Sequence, residues 1–156
     1  MTPHRIDIDD LVKKCQSTLI NSIPHPIAYQ DKVKLENNTL PPSLGKTPLN
    51  IYALWVRTEE EPQWKLMYIG QRSAKQGWNR VKQHLFSTPK GTQSKLLQVR
   101  MMVESGAEMG VTSLLVEPDS MRLSIEEELI NLNSKLSTDL PWNDKARAKS
   151  GKKRKA

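Results

Sequence analysis

The chain predicts an α+β fold, a small three-stranded, largely antiparallel sheet packed with helices and preceded by a helical arm. Three observations lead there. Two apolar runs, 49–57 and 64–69, flank a segment at 58–63 that carries three glutamates and Pro62 and can only turn. Stretches of helical spacing follow, and a third apolar run at 111–117 lies between two of them. With 156 residues, the chain has enough length for one domain with one core.

Residues 8–23 read as a helix: Asp9 and Asp10 suit its positive end, while Leu11, Cys15, Thr18 and Leu19 share a face. Pro24 and Pro26 stop it. The polar stretch 29–48 reads as a surface connector, so 1–48 is expected to be an accessory arm. Run 49–57 is a good strand, and 64–69 is its return, ended by Gly70. A loop at 71–77 leads to a helix at 78–86, with Trp78, Val81 and Leu85 on one side and Arg80 and His84 on another. Pro89-Lys90-Gly91 breaks it; Ser94 caps the next helix, which reaches about residue 105 and stops at Gly106. After the strand at 111–117, Ser124 and Glu127 predict a capping box opening the last helix. Ile125, Leu129, Leu132 and Leu136 make its core side, and Pro141 marks a turn. The body therefore runs from 49 to 143. The tail at 144–156 has no apolar residue larger than alanine and is expected to be disordered.

Composition narrows the class. Hydrophobic residues at 37% and charged residues at 26% suit a soluble globular protein. No apolar run approaches the ~18 residues of a membrane span, and the N-terminus lacks the apolar core of a signal peptide. The single Cys15 excludes an internal disulfide or a cysteine-based zinc site. A cytoplasmic protein is expected, nucleoid-associated if it acts on DNA. The net charge of +7 is uneven: seven Lys/Arg and one Asp lie in 144–156. No acid occurs between Glu61 and Glu104, a window holding Lys65, Arg72, Lys75, Arg80, Lys82, Lys90, Lys95 and Arg100. Such a face suits a polyanion, although charge alone fits a plain solvated surface equally well.

The chemistry-bearing residues begin with Tyr52 and Tyr68, sixteen positions apart, an interval at which a hairpin brings two phenols to one end of a sheet. Strand aromatics more often serve packing. Arg80 and His84 follow at i, i+4, where a rigid helix would suit a guanidinium that grips phosphate. Among Glu126, Glu127 and Glu128, helical geometry puts Glu126 at the margin of the buried face, where a carboxylate needs a partner such as a hard cation. The plainer reading makes all three solvated first-turn acids.

In combination, residues 49–143 resemble the GIY-YIG nuclease family. Its two namesake tripeptides look like Asn50-Ile51-Tyr52 and Tyr68-Ile69-Gly70; its helical arginine and histidine match Arg80 and His84. Its metal-binding glutamate matches Glu126 in preference to Glu128, and its closing region matches Pro141-Trp142-Asn143, an ending similar to the restriction-endonuclease branch. Asn50 replaces the family's first glycine, and the intervals from Gly70 to Arg80 and from Glu126 to Asn143 are long.

The resemblance implies a phosphodiester hydrolase acting on nucleic acid, DNA first, with one Mg²⁺ or Mn²⁺ ion held by Glu126. Arg80 would stabilise the transition state and Tyr52 would be the general base. Tyr68 and His84 would orient water or phosphate, with His84 as an alternative proton relay, and Asn143 would hold Tyr52 or the phosphate. Gln71, Arg72, Lys75, Lys82, Lys90 and Lys95 are the expected nucleic-acid contacts, with Lys152, Lys153 and Arg154 in the tail as a tether. A homodimer would suit cutting of both strands. The rival readings are a nucleic-acid-binding module of the same fold that does not cut, and an interaction protein that docks through residues 1–48.

Overall fold

The computed structural model describes residues 4–135 and 139–143. In chain order these form α1 (Asp9–Ile20), β1 (His25–Ile27), single 3-10 turns at Leu35–Asn37 and Leu44–Lys46, β2 (Ile51–Arg57), β3 (Lys65–Gln71), α2 (Gly77–Leu85), α3 (Leu96–Glu104), β4 (Glu108–Leu114) and α4 (Met121–Asn133). No helix among the described residues is long and apolar enough to cross a membrane.

The fold is α+β, with a four-stranded sheet in the order β1-β4-β2-β3 and every neighbouring pair antiparallel. Side-chain alternation along the central β2 divides the core in two. Ile51, Ala53 and Trp55 face α1 and α4, meeting Val12, Leu19, Ile125 and Leu129. Tyr52, Leu54 and Val56 face α2 and α3, meeting Val81, Leu85, Val99 and Val103. Helices thus cover both faces of the sheet.

The fourth strand corrects the three-strand expectation. It lies in the supposed accessory arm, between the helix and the connector, where His25, Pro26 and Ile27 pair with Val111, Gly110 and Met109. Three residues are too short for an alternation signal, and Pro26 is tolerated because β1 is an edge strand. The first 48 residues also supply Val12, Leu19, Ile27 and Leu35 to the two cores.

Three further boundaries differ. The last strand begins at Glu108 and ends at Leu114, because beyond that point a side chain replaces the ladder. Asn50 accepts from Val116 N–H at 2.9 Å and donates Nδ2 to Val116 C=O at 2.8 Å. The last helix opens at Met121, so Ser124 lies inside it and the capping box does not form. Its entry is instead a backbone turn, with Met121 N–H on Pro118 C=O and Arg122 N–H on Asp119 C=O. Its buried face comprises Ile125, Glu126, Leu129 and Ile130, while Leu132 is 40% exposed. Leu136 lies outside the described residues. The first helix stops at Ile20, and Ile23 is exposed.

Past the sheet edge, the segment 139–143 runs along β3. Trp142 N–H donates to Met67 C=O at 3.1 Å, and Asn143 brackets Ile69 by accepting its N–H at 2.8 Å and donating to its C=O at 2.9 Å. An otherwise open edge is thereby occupied.

Candidate functional site

The β2–β3 register sets Tyr52 opposite Gly70 and Leu54 opposite Tyr68, so both phenols stand on the α2/α3 face. Their ring centroids are 6.2 Å apart. Gly70 is required by this arrangement: a Cβ there would lie 2.5 Å from the Tyr52 ring and 2.7 Å from that of Tyr68. The final glycine of the tripeptide is therefore space for two rings.

On α2, Val81 and Leu85 anchor the helix in the core, and the same packing turns His84 under the tyrosines, where it is fully buried. Its ring lies 5.6 Å from that of Tyr52 and 5.2 Å from that of Tyr68. The backbone N–H of Lys95 donates to His84 Nδ1 at 3.0 Å. A neutral imidazole then carries its proton on Nε2, which stands 2.7 Å from Tyr52 Oη. His84 thus donates to Tyr52, leaving the phenol's own proton free to point elsewhere. Both nitrogens are committed, which disfavours the proton-relay role.

Burial, followed by the charges of Arg80, Lys95 and Arg72, pushes the His84 pKa down to about 3. An unfolded histidine titrates near ~6.5, so between these values the unfolded chain binds the extra proton and stability falls as the pH is lowered. This stabilisation is complete above about pH 6.5 and erodes down to about pH 3, at most ~1.4 kcal/mol per pH unit. Urea titrations from pH 7 to pH 4 should show that decline, and His84→Gln should flatten it.

Tyr52 is 1% exposed, and burial raises its pKa well above 10. The Tyr68 and Glu126 charges push the same way, whereas Arg80 and Arg72 oppose them. The resting phenol is neutral, so the expected general base is not preformed.

Arg80 is held on the rim of the site, its Nη1 donating to Gln83 Oε1 at 2.9 Å and to Gln93 C=O at 2.8 Å. It lines a cleft of about 560 Å³ together with Tyr68, Thr88, Ser94, Lys95 and Arg100. Arg100 lines the same cleft, with its Nε buried and without a hydrogen-bond partner among the described residues. Thr88 and Ser94 fix the loop between α2 and α3, with their hydroxyls 2.5 Å apart and Thr88 donating to Gln83 C=O at 2.9 Å.

Glu126 comes from α4 in the opposite layer. It is 5% exposed, whereas Glu127 and Glu128 face solvent. The start of its helix is tied to the end of β3 by Arg122 Nε on Gln71 Oε1, the end of the sheet where Tyr52 meets Gly70, and its charge adds to the rise of the Tyr52 pKa. Among the described residues no group of three or more His, Cys, Asp or Glu could hold an ion by itself. A single hard carboxylate at a polar site still fits a Mg²⁺-type ion that keeps water and substrate oxygens as its other ligands. Both polar atoms of Asn143 bind Ile69, which makes it a clamp that holds the closing segment on β3 beside the site.

The expected nucleic-acid residues divide. Lys95 joins the cleft, with Nζ 5.7 Å from the Tyr68 ring centroid, and Arg72 lines an adjoining hollow. Lys75 and Lys90 are exposed on flanking loops. Lys82 points elsewhere, into a hollow with Lys46 and Phe86. Gln71 instead accepts a bond from Arg122 Nε at 3.0 Å. Lys152, Lys153 and Arg154 lie outside the described residues.

Sequence reading missed a network around Asn50. Its Nδ2 donates to Asp119 Oδ1 at 3.0 Å, Ala74 N–H donates to the same oxygen at 2.9 Å, and Arg122 Nη1 meets Asp119 Oδ2 at 2.6 Å. These bonds, led by that from Asn50, hold the Asp119 carboxyl below its ordinary range. Asn50 thus ties the loop after β3 to the start of α4. The D-x-x-R spacing of Asp119 and Arg122 carries no signal by itself. In comparison with known proteins, the chain matches no family model, no curated protein and no solved structure.

Proposed function

We propose that the chain is a divalent-metal-dependent endonuclease of the GIY-YIG type, hydrolysing phosphodiester bonds of nucleic acid, DNA before RNA. The observation that carries this reading is the Tyr52–His84 hydrogen bond beneath Tyr68, with Arg80 on the rim and buried Glu126 close enough to act on Tyr52. Core packing explains a buried Tyr52, but not a buried carboxylate and a neutral histidine gathered at one sheet end beside a cationic cleft.

In this reading the scissile phosphate sits over Tyr68. Arg80 and Arg100 donate to its non-bridging oxygens, Arg80 being fixed in place by Gln83 and Gln93. Glu126 would hold the ion, which supplies charge neutralisation at the phosphate and cancels the carboxylate's opposition to a Tyr52 phenolate. Once its own proton has passed to solvent, the Tyr52 phenolate would take the proton of the attacking water, and His84 Nε2–H would stabilise the phenolate oxygen. Lys95 contributes through its backbone N–H, which fixes the histidine tautomer. Two copies would be needed to cut both strands together, and a homodimer belongs to this reading.

The test is supercoiled plasmid with the full chain and Mg²⁺, beside an EDTA control. Nicking or linearisation that EDTA abolishes supports the nuclease. Retained binding with no cleavage of plasmid, branched DNA or RNA would favour the binding module.

A further inference from the structure

Sharing Arg80 with the main cleft is a hollow of about 370 Å³, walled by Arg72, Arg80 and Arg122 and by the amides of Gln76, Asn79 and Gln83. None of its lining residues is acidic, and none is an apolar side chain. Arg122 is held in place: Nη1 binds Asp119 Oδ2 at 2.6 Å and Nε binds Gln71 Oε1 at 3.0 Å. Arg72 is anchored through its backbone N–H to Asn50 C=O at 3.1 Å, while its side chain is exposed. Three guanidinium groups and three amides on a concave surface suit a compact anion with several acceptor oxygens and reject cations and apolar ligands. The hollow shares Arg80 with the main cleft, so the two are adjoining stations along one path.

We propose that this hollow is a second phosphate subsite, holding the phosphodiester next to the scissile one on the same strand, with Arg72 and Arg122 as its walls and Arg80 bridging the two stations. This rests on the nuclease reading above. It assigns Arg122 a binding role and gives Asp119 and Gln71 the task of holding that guanidinium in place. The substrate must then extend at least one linkage past the cut on that side.

The experiment begins with an end-labelled duplex whose cut sites are mapped with wild-type protein and Mg²⁺. Duplexes carrying one neutral methylphosphonate at either flanking linkage are then compared on wild type and Arg72→Gln, with thermal midpoints confirming that the variant folds. On wild type, one flanking position should raise KM about tenfold with kcat little changed, as expected for one charged contact. On Arg72→Gln the unmodified duplex should show that same rise, and the modification should add little. Equal, additive losses on both proteins would overturn the subsite. If no duplex is cut, the nuclease reading fails separately, and the subsite is judged by duplex binding in EDTA. There Arg72→Gln should reduce the slope of log K against log salt by about one, and an unchanged slope would overturn it. Competition by millimolar inorganic phosphate at constant ionic strength, together with no effect of the methylphosphonate at either flanking linkage, would assign the hollow to a free anion and overturn the strand reading.

Discussion

Glu126→Gln should lower the single-turnover rate of Mg²⁺-dependent cleavage by at least about a thousandfold while the protein still folds and binds nucleic acid. Glutamine keeps the shape of a side chain that is 5% exposed and removes only its charge. The loss corresponds to about 4 kcal/mol of transition-state stabilisation, within the several kcal/mol that a bound cation supplies at a phosphoryl oxygen. Thermal midpoints of the variant and wild type check that the fold is kept. Binding in EDTA should also hold or tighten, since a negative charge is removed beside a polyanion. Glu128→Gln, on the exposed side of the same helix, should change little. A rate lost equally in both variants would show that the helix, and not the Glu126 charge, is responsible.

Arg80→Lys should cost about a hundred- to a thousandfold in kcat with a smaller change in KM. Lysine retains the positive charge but not the planar fork, and it cannot reproduce a guanidinium held simultaneously by Gln83 and Gln93. Lys82→Gln provides the contrast. Two residues along the same helix it lines a different hollow, with Phe86, and its removal should alter cleavage by less than a few fold. Full activity in Arg80→Lys would mean that charge alone suffices and that the fork is not used.

The parts of this molecule that were legible in sequence are those fixed by local pattern. The hairpin was readable from its acidic turn and apolar runs, and it sets Tyr52 and Tyr68 on one face. Arg80 and His84 were readable as a pair because a helix makes i and i+4 neighbours, yet the fold sends the histidine inward and leaves the arginine on the rim. Helical angle placed Glu126 beside the buried face, and it is in fact within it, because α4 is rotated away from Leu132.

What was illegible depended on long-range contacts. The strand β1 is too short to show a period and exists because β4 offers it an edge. Asn50 and Asn143 do their work as side chains standing in for backbone partners 66 and 74 positions away, which no local propensity encodes. Arg122 falls outside the acid-free window and is held on the cationic surface by Asp119 and Gln71. The ionisation of Tyr52 was likewise hidden, since burial depends on the two helices that close over it.

The measurement that bears most directly on the proposed chemistry is the single-turnover rate of plasmid cleavage by wild type and Tyr52→Phe at saturating Mg²⁺. Phenylalanine keeps the ring over Gly70 and beside His84 and removes only the oxygen that His84 Nε2–H meets. The expected result is rapid, EDTA-sensitive cleavage by wild type and a loss of at least about a hundredfold in the variant, with binding unchanged. Near-normal cleavage by Tyr52→Phe would remove Tyr52 as the base, and plasmid left intact by both proteins would contradict DNA cleavage itself.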